Sequence, residues 1–141
     1  MPAVPRVAAP RGFACRWCVT GVKPNSLFCT SLFDITDDHQ QLTIHLAAID
    51  TYSITLDLDS VRKLHQAVED RVERTITGTH PLHGKQKIRL TRCFEGMELS
   101  ATASQRPAIH IRYARERQTV LVDTMAEIVR VMVSEHSPGG G

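Results

Sequence analysis

The stretch Tyr52–Val72, YSITLDLDSVRKLHQAVEDRV, contains a strand that leads directly into a helix. Apolar residues at every second position are typical of a half-buried strand, and apolar residues three and four apart mark one face of a helix. The strand set is Ile54, Leu56 and Leu58, and the helix set is Val61, Leu64, Val68 and Val72. Asp59 or Ser60 can cap this helix, because a short oxygen-bearing side chain accepts from the first free backbone N–H groups. We therefore predict a strand that ends near Leu58 and a helix that continues to about Arg74.

Length and composition favour a single compact domain. The chain has 141 residues, of which 42% are hydrophobic and 23% charged, and this is enough apolar material for one core. It contains no apolar run of the roughly 18–20 residues that a membrane-spanning helix needs. Residues 1–11 lack the apolar block of a secretory signal, so we expect a flexible leader there. Because no export signal is present, we expect the four cysteines to be reduced and the protein to be cytoplasmic.

The same order of elements is predicted twice along the chain. In each half, four segments with alternating apolar residues are separated by polar turns and precede a helical segment. We place a first β-β-β-β-α repeat at 12–74, a linker rich in Thr, Gly, Pro and His at 75–84, a second repeat at 85–135 and a flexible tail at 136–141. The strands predicted for the second repeat are 85–94, 97–103, 108–114 and 118–122.

A second strand-to-helix junction is predicted at 118–135. Asp59-Ser60-Val61 aligns with Asp123-Thr124-Met125, and Ile44-His45-Leu46 aligns with Ile109-His110-Ile111. Residues 128–133, IVRVMV, are rich in β-branched residues that favour strands, and only the alignment of the two halves favours a helix there. We predict an α+β fold in which the two repeats pack as a pseudo-twofold pair of antiparallel sheets, with helices covering one face. The opposite faces of the sheets would then be free for a ligand.

This organisation resembles the PUR-repeat, Whirly and transcriptional-coactivator group of single-stranded nucleic-acid-binding proteins, which are built from β-β-β-β-α units. The resemblance is closest at Leu56–Leu64, LDLDSVRKL, where the strand enters its helix without a loop. It extends over 12–74 and 85–135 as a pattern of elements. It implies a non-enzymatic protein that binds single-stranded DNA or RNA with basic and aromatic side chains on its sheets.

Basic residues are concentrated in the second half of the chain. Residues 85–117 contain eight Lys and Arg against three Glu. Lys87 and Arg89 are expected to project from one strand face, away from the apolar residues between them. Such a surface can follow a phosphate backbone, with Tyr113 or Phe94 offering a ring for base stacking. The predicted nucleic-acid-binding residues are Lys85, Lys87, Arg89, Arg112, Tyr113, Arg115 and Arg117. A solvated sheet face, or charges that protect an edge strand, would give the same pattern.

Cys15, Cys18 and Cys29 are the candidate metal ligands. Zinc requires four ligands, and only Cys15-Arg16-Trp17-Cys18 has the spacing of a ligand pair. If this segment is a strand, Cys15 and Cys18 point to opposite faces, and the cysteines are then small side chains packed on strands. We predict no metal site and no cofactor.

His45 and His110 align in the two predicted repeats. A pseudo-twofold arrangement would bring them together as a metal pair or a pH-sensitive patch, whereas separate exposed histidines on a sheet are the alternative. The sequence contains no Gly-rich phosphate loop, no GxSxG and no HExxH, and we predict that the protein is not an enzyme.

Two functions from different classes fit these features. The first is binding of single-stranded DNA or RNA through the basic sheet face of the second repeat. The second is a small protein-interaction or self-assembly module, in which the basic residues serve an acidic partner or solubility. Either could be a monomeric pseudo-dimer or a homodimer, with no membrane contact. Salt-dependent binding to a single-stranded oligonucleotide would separate the two.

Overall fold

The computed structural model describes residues 6–49, 52–93, 96–103 and 106–136. This part of the chain contains nine strands and two α-helices, so the fold is α+β with an antiparallel sheet, as predicted. The strands are β1 (Arg6–Val7), β2 (Phe13–Val22), β3 (Phe28–Thr36), β4 (Gln41–His45), β5 (Ser53–Asp57), β6 (Arg74–His80), β7 (Gly84–Cys93), β8 (Gly96–Ala103) and β9 (Arg106–Ala114). The helices are α1 (Leu58–Asp70) and α2 (Arg115–His136), and a short 3₁₀ helix (Leu46–Ala48) follows β4.

Each strand pairs with the next one along the chain. β2 also pairs with β9, so the order from β2 to β9 closes into a ring. Two junctions in this ring consist of one residue pair each: Thr55 with Thr79 between β5 and β6, and Val22 with Arg112 between β2 and β9. These junctions separate the strands β2–β5, which precede α1, from the strands β6–β9, which precede α2.

One hydrophobic core lies between the inward faces of the strands and the two helices. Alternate residues of the long strands are buried in it, as the period of two predicts. The helices pack against each other and close this core. They contribute Val61, Leu64, Ala67 and Val68 from α1 and Leu121, Met125, Ile128 and Met132 from α2. Within the described ranges, neither helix is long and apolar enough to cross a membrane.

The predicted strand-to-helix junction is confirmed, because α1 begins at the residue that follows β5. The cap is Asp57, however, and not Asp59 or Ser60. The Ser60 backbone N–H donates to Asp57 Oδ1 at 2.8 Å, and this hydrogen bond lowers the pKa of the Asp57 carboxyl below its ordinary value. The helix also ends one turn earlier than predicted, since Arg71 adopts the left-handed conformation (φ 57°, ψ 44°).

The predicted linker at 75–84 is wrong, because most of it forms β6. Its threonines point outward and alternate with inward side chains, and β-branched residues favour this arrangement. The inward set is Ile76, Gly78 and His80, and the outward set is Thr75, Thr77 and Thr79. Close packing of β6 against β5 requires a glycine at position 78, because a Cβ there would lie 2.5 Å from Ile54 Cγ1 and 2.6 Å from the Thr55 carbonyl oxygen. A glycine that suggests a turn therefore permits contact between β5 and β6.

The predicted strand at 118–122 is also wrong, because α2 begins at Arg115 and includes it. The helix presents one buried face with three- and four-residue spacing, and this packing overrides the β-propensity of its Thr and Val residues. That face contains Gln118, Leu121, Met125, Ile128 and Met132. The predicted helix at 128–133 is confirmed. The alignment of the two halves is displaced by one strand, because β5 lies between the strand of His45 and α1, whereas the strand of His110 leads directly into α2.

Candidate nucleic-acid interface

The outward face of β7 carries three exposed cations. Lys85, Lys87 and Arg89 are exposed, whereas Ile88 and Leu90 are fully buried, so the predicted orientation of this strand is confirmed. Residues two apart on a strand are about 6.6 Å apart, since the rise is about 3.3 Å per residue. None of the three cations forms an ion pair within the described ranges. We refer to Lys85, Lys87, Arg89 and Arg112 together as the basic face.

Threonines of β6 flank the cations of β7. Each of the three cations on β7 is directly opposite one of them: Thr79 with Lys85, Thr77 with Lys87 and Thr75 with Arg89. These short side chains leave the longer basic side chains uncovered. Their hydroxyls add donors and acceptors of the kind that contact phosphate and sugar.

Arg112 extends the basic face to β9. It is exposed and lies opposite Glu98 of β8 in the strand register. Glu98 instead pairs with His110, whose Nδ1 is 3.1 Å from its Oε2. Among the described side chains, the outward faces of β7, β8 and β9 thus carry four cations (Lys85, Lys87, Arg89 and Arg112) and one carboxylate (Glu98), a net charge of +3. A strand of phosphates would meet a surface of opposite charge here.

Tyr113, one of the two predicted stacking residues, is not available on the basic face. Tyr113 is fully buried, in phase with Ile111 and not with Arg112, and burial raises the pKa of its hydroxyl. Its ring packs against Gly21, where an added Cβ would lie 3.1 Å from Tyr113 Cε1. Contrary to the prediction, Tyr113 is therefore not a residue of the basic face. Phe94 lies outside the described residues.

Phe28 provides the exposed ring that the sequence analysis missed. Its side chain is 74% exposed and projects outward from the first residue of β3. Phe28 pairs with Val22, and Val22 pairs with Arg112 across the junction of β2 and β9. Directly opposed residues lie about 5 Å apart, so Phe28 and Arg112 are about 10 Å apart on one continuous outward surface. Alternation along β3 could have indicated its orientation, because Phe33 and Ile35 are on the opposite face.

Arg115 and Arg117 do not belong to the basic face. They were predicted in a charged turn between two strands, but they lie in the first turn of α2. Both are exposed. Arg115 shares a cavity with Arg71, the residue that follows α1. These two predicted binding residues therefore lie on a helix, whereas the residues of the basic face lie on strands.

A second polar cluster lies on the outward faces of β2–β5 around Asp34, which is 0% exposed. Arg16 Nε and Nη2 donate to the two Asp34 oxygens at 2.7 and 2.8 Å. His45 Nε2 lies 3.2 Å from Asp34 Oδ2, and His45 Nδ1 lies 2.6 Å from Ser53 Oγ. Burial by itself would raise the pKa of Asp34, but hydrogen bonds from Arg16 and His45 lower it below its usual range. The same pair raises the pKa of Arg16.

In this cluster the imidazole of His45 contacts both a carboxylate and a hydroxyl, but the geometry favours a structural role. Both oxygens of Asp34 are engaged by Arg16, and Ser53 is only 6% exposed. His45 and Ser53 also line a cavity of about 340 Å³ beside the turn between β6 and β7. We interpret the ion pair as a clamp that holds β2, β3 and β4 together across their outward faces.

The cysteines and histidines do not converge on a metal site in the described part of the chain. No group of three or more His, Cys, Asp and Glu residues there could hold a metal ion. Cys15 is buried on the inward face of β2, and Cys18 lies on its outward face, as the strand alternation predicts. Cys29 pairs with Gly21, at the other end of β2 from Cys15. His45 and His110 lie on strands that are not neighbours.

No protein-family model, no curated protein and no solved structure matches this chain. The geometry of the candidate interface is therefore the basis for its function. That geometry combines an uncompensated row of cations, hydroxyls beside it and one exposed ring on the same surface.

Proposed function

We propose that the protein is a non-enzymatic nucleic-acid-binding protein whose ligand lies along the basic face. The observation that carries this proposal is the row formed by Lys85, Lys87 and Arg89, three exposed cations without ion pairs in the described ranges. Uncompensated cations in a row attract a polyanion, because each contacted phosphate releases its condensed counterions. Arg112 extends the row toward β2 and so gives the ligand a direction across the sheet.

A single strand is the form of nucleic acid that this surface favours. Phe28 presents an exposed ring about two strand spacings from Arg112, and bases stack on such rings without sequence preference. A duplex keeps its bases paired and stacked inside, so a ring on a flat sheet has little to contact there. A basic face beside an exposed ring therefore supports binding of single-stranded DNA or RNA.

The order of elements supports two related β-β-β-β-α units within a monomer. Apart from the two-residue strand β1, four strands precede each helix, both sets of strands share one core, and the two helices pack against each other. In this proposal the second unit begins with β6 and not at residue 85. The cysteines are all unpaired, and this supports a reducing compartment such as the cytoplasm.

The test is the binding of a fluorescently labelled single-stranded oligonucleotide, measured by anisotropy at several salt concentrations. If each cation of the basic face contacts one phosphate, the affinity should fall roughly 50-fold between 50 and 200 mM salt, from a slope of about −0.7 per contact. The triple variant Lys87→Ala, Arg89→Ala, Arg112→Ala should bind much more weakly and show a slope that is smaller by about 2.

A matched triple variant, Arg62→Ala, Lys63→Ala, Arg117→Ala, removes the same charge from the helices. Its affinity should remain near that of the wild type. Equal losses in the two triple variants would mean that net charge alone drives binding, and the absence of binding at low salt would reject the function.

The alternative of a protein-binding module is favoured by one observation. Leu27 and Phe28 are 61% and 74% exposed at adjacent positions, and neighbouring exposed apolar residues can mark a protein contact. Light scattering and the salt dependence separate the two functions. An apolar contact between copies of the chain would strengthen with salt, whereas nucleic-acid binding weakens.

A further inference from the structure

A cavity of about 220 Å³ lies where the end of α1 meets the first two turns of α2. Arg115, Gln118, Thr119 and Val122 line it from α2, at positions that share one face of the helix. Arg71 lines it from the end of α1. The cavity is separate from the basic face, which lies on the outward side of the strands.

The two arginines of this cavity have no counter-ion among the described residues. Arg71 and Arg115 are both exposed, and neither forms an ion pair there. Two guanidinium groups around one small space repel each other unless an anion lies between them. Guanidinium is also the group best suited to bind an oxyanion, since its planar fork donates two parallel hydrogen bonds.

Gln118 supplies an independent indication of a ligand. Its side chain is only 8% exposed, yet it makes no hydrogen bond with any residue in the described ranges. Its amide atoms are not among the side-chain atoms sealed from solvent without a partner, so they can hydrogen-bond a ligand that enters the cavity. It lines the same cavity as the two arginines, so a bound oxyanion would accept from its N–H₂ group. The Thr119 hydroxyl already donates to the Arg115 carbonyl oxygen at 3.3 Å and retains only its capacity to accept.

We propose that this cavity binds the phosphate group of a small phosphorylated molecule. Arg71 and Arg115 would neutralise its two negative charges from opposite sides, and the Gln118 amide would donate to a third oxygen. Val122 provides an apolar wall for the organic part of a phosphate ester. The volume exceeds that needed for a phosphate group alone. Free phosphate and a phosphate ester share this chemistry, and the experiment separates them.

The experiment is calorimetric titration of the whole chain with inorganic phosphate and with a nucleoside 5′-monophosphate, at constant ionic strength. The unphosphorylated nucleoside and sodium chloride serve as ligand controls. We expect saturable binding of at least one phosphate probe and none of the controls, with a thermal midpoint that rises as the bound ligand stabilises the native state. Tighter binding of the nucleotide would identify an ester as the ligand class, and equal binding would identify free phosphate.

Three variants make the result decisive. Arg71→Gly removes one guanidinium at a left-handed position that glycine prefers, so this variant should fold at least as well as the wild type. It and Arg115→Gln should each weaken phosphate binding at least tenfold. Arg117→Gln, an exposed arginine in the same helical turn that does not line the cavity, should leave it unchanged. The absence of saturable binding to the wild type, or equal weakening by Arg117→Gln, would overturn the proposal.

Discussion

The indole Nε1 of Trp17 donates a hydrogen bond of 2.7 Å to Oε2 of Glu127 and so joins β2 to α2 across 110 positions of sequence. Trp17 is fully buried, and the guanidinium of Arg6 lies 5.3 Å from its ring centroid. The other oxygen of Glu127 accepts from Arg130 at 3.1 Å. This hydrogen bond attaches the first long strand, β2, to the last helix, α2.

Glu127→Ala should lower the free energy of unfolding by about 1–3 kcal/mol, because it leaves the buried Trp17 N–H without an acceptor. Urea denaturation followed by tryptophan fluorescence measures this directly, since Trp17 is the only tryptophan of the chain. Glu73→Ala removes an exposed carboxylate between α1 and β6 and should change stability by less than about 0.5 kcal/mol. Equal effects of the two substitutions would show that the hydrogen bond adds nothing.

The Asp34 ion pair should make stability depend on acid. Because the pKa of Asp34 is lower in the folded protein than in the unfolded chain, where it is about 3.9, its contribution is complete above about pH 5 and is lost as pH falls through the folded pKa. Asp34→Asn should cost about 3 kcal/mol at pH 7, since it leaves Arg16 partly buried without its partner. The difference from the wild type should shrink as the pH falls below 4.

Unfolding by urea at a series of pH values measures this dependence. Asp37→Asn, at an exposed carboxylate in the turn before β4, is the control and should stay close to the wild type throughout. A difference between wild type and Asp34→Asn that stays constant from pH 7 to pH 3 would contradict the ionic explanation.

Gly78→Ala should destabilise the protein by about 1–3 kcal/mol through overpacking. The added methyl group would meet Ile54 and the Thr55 carbonyl oxygen at less than 3 Å, and the backbone of β5 cannot move without breaking its pairing with β4. Gly84→Asn is the comparison, because a side chain there meets nothing within 4 Å and Asn tolerates its positive φ. If Gly78→Ala were as stable as the wild type by thermal denaturation, residues 74–80 would not be packed against β5.

Local periodicity predicts the first half of this fold and the strands β7, β8 and β9 well, but it fails at β6 and at the start of α2, for physical reasons. From β5 to α1 the apolar period changes from two to three and four within a few residues, and each element agrees with its own propensity. At β6 and at the start of α2, propensity and packing disagree. β6 contains a glycine that indicates a turn, and the start of α2 contains Thr and Val that favour a strand. Their actual conformations depend on contacts with β5 and α1, which are distant in sequence.

The residues of the basic face can be predicted from the local sequence, but their position relative to Phe28 depends on contacts that are distant in sequence. Alternation alone places Lys87 and Arg89 on the outward face of β7, since their neighbours Ile88 and Leu90 are apolar. No local pattern places Phe28 beside Arg112, because their proximity arises from the single pairing of β2 with β9. The same topology separates Arg115 from the strands and brings it to Arg71 instead.

Phe28→Ala should weaken binding of a single-stranded oligonucleotide by about 5- to 150-fold, because stacking of one base on an aromatic ring contributes about 1–3 kcal/mol. The slope of log affinity against log salt should remain that of the wild type, since the substitution removes no charge. Leu27→Ala is the matched control: its side chain is adjacent and exposed but offers no ring. Anisotropy titrations with the intact oligonucleotide and with one that contains abasic sites test the explanation further. The loss should disappear on the abasic strand. A loss that persists there would mean that Phe28 affects binding through the conformation of β2 and β3 and not by stacking on a base.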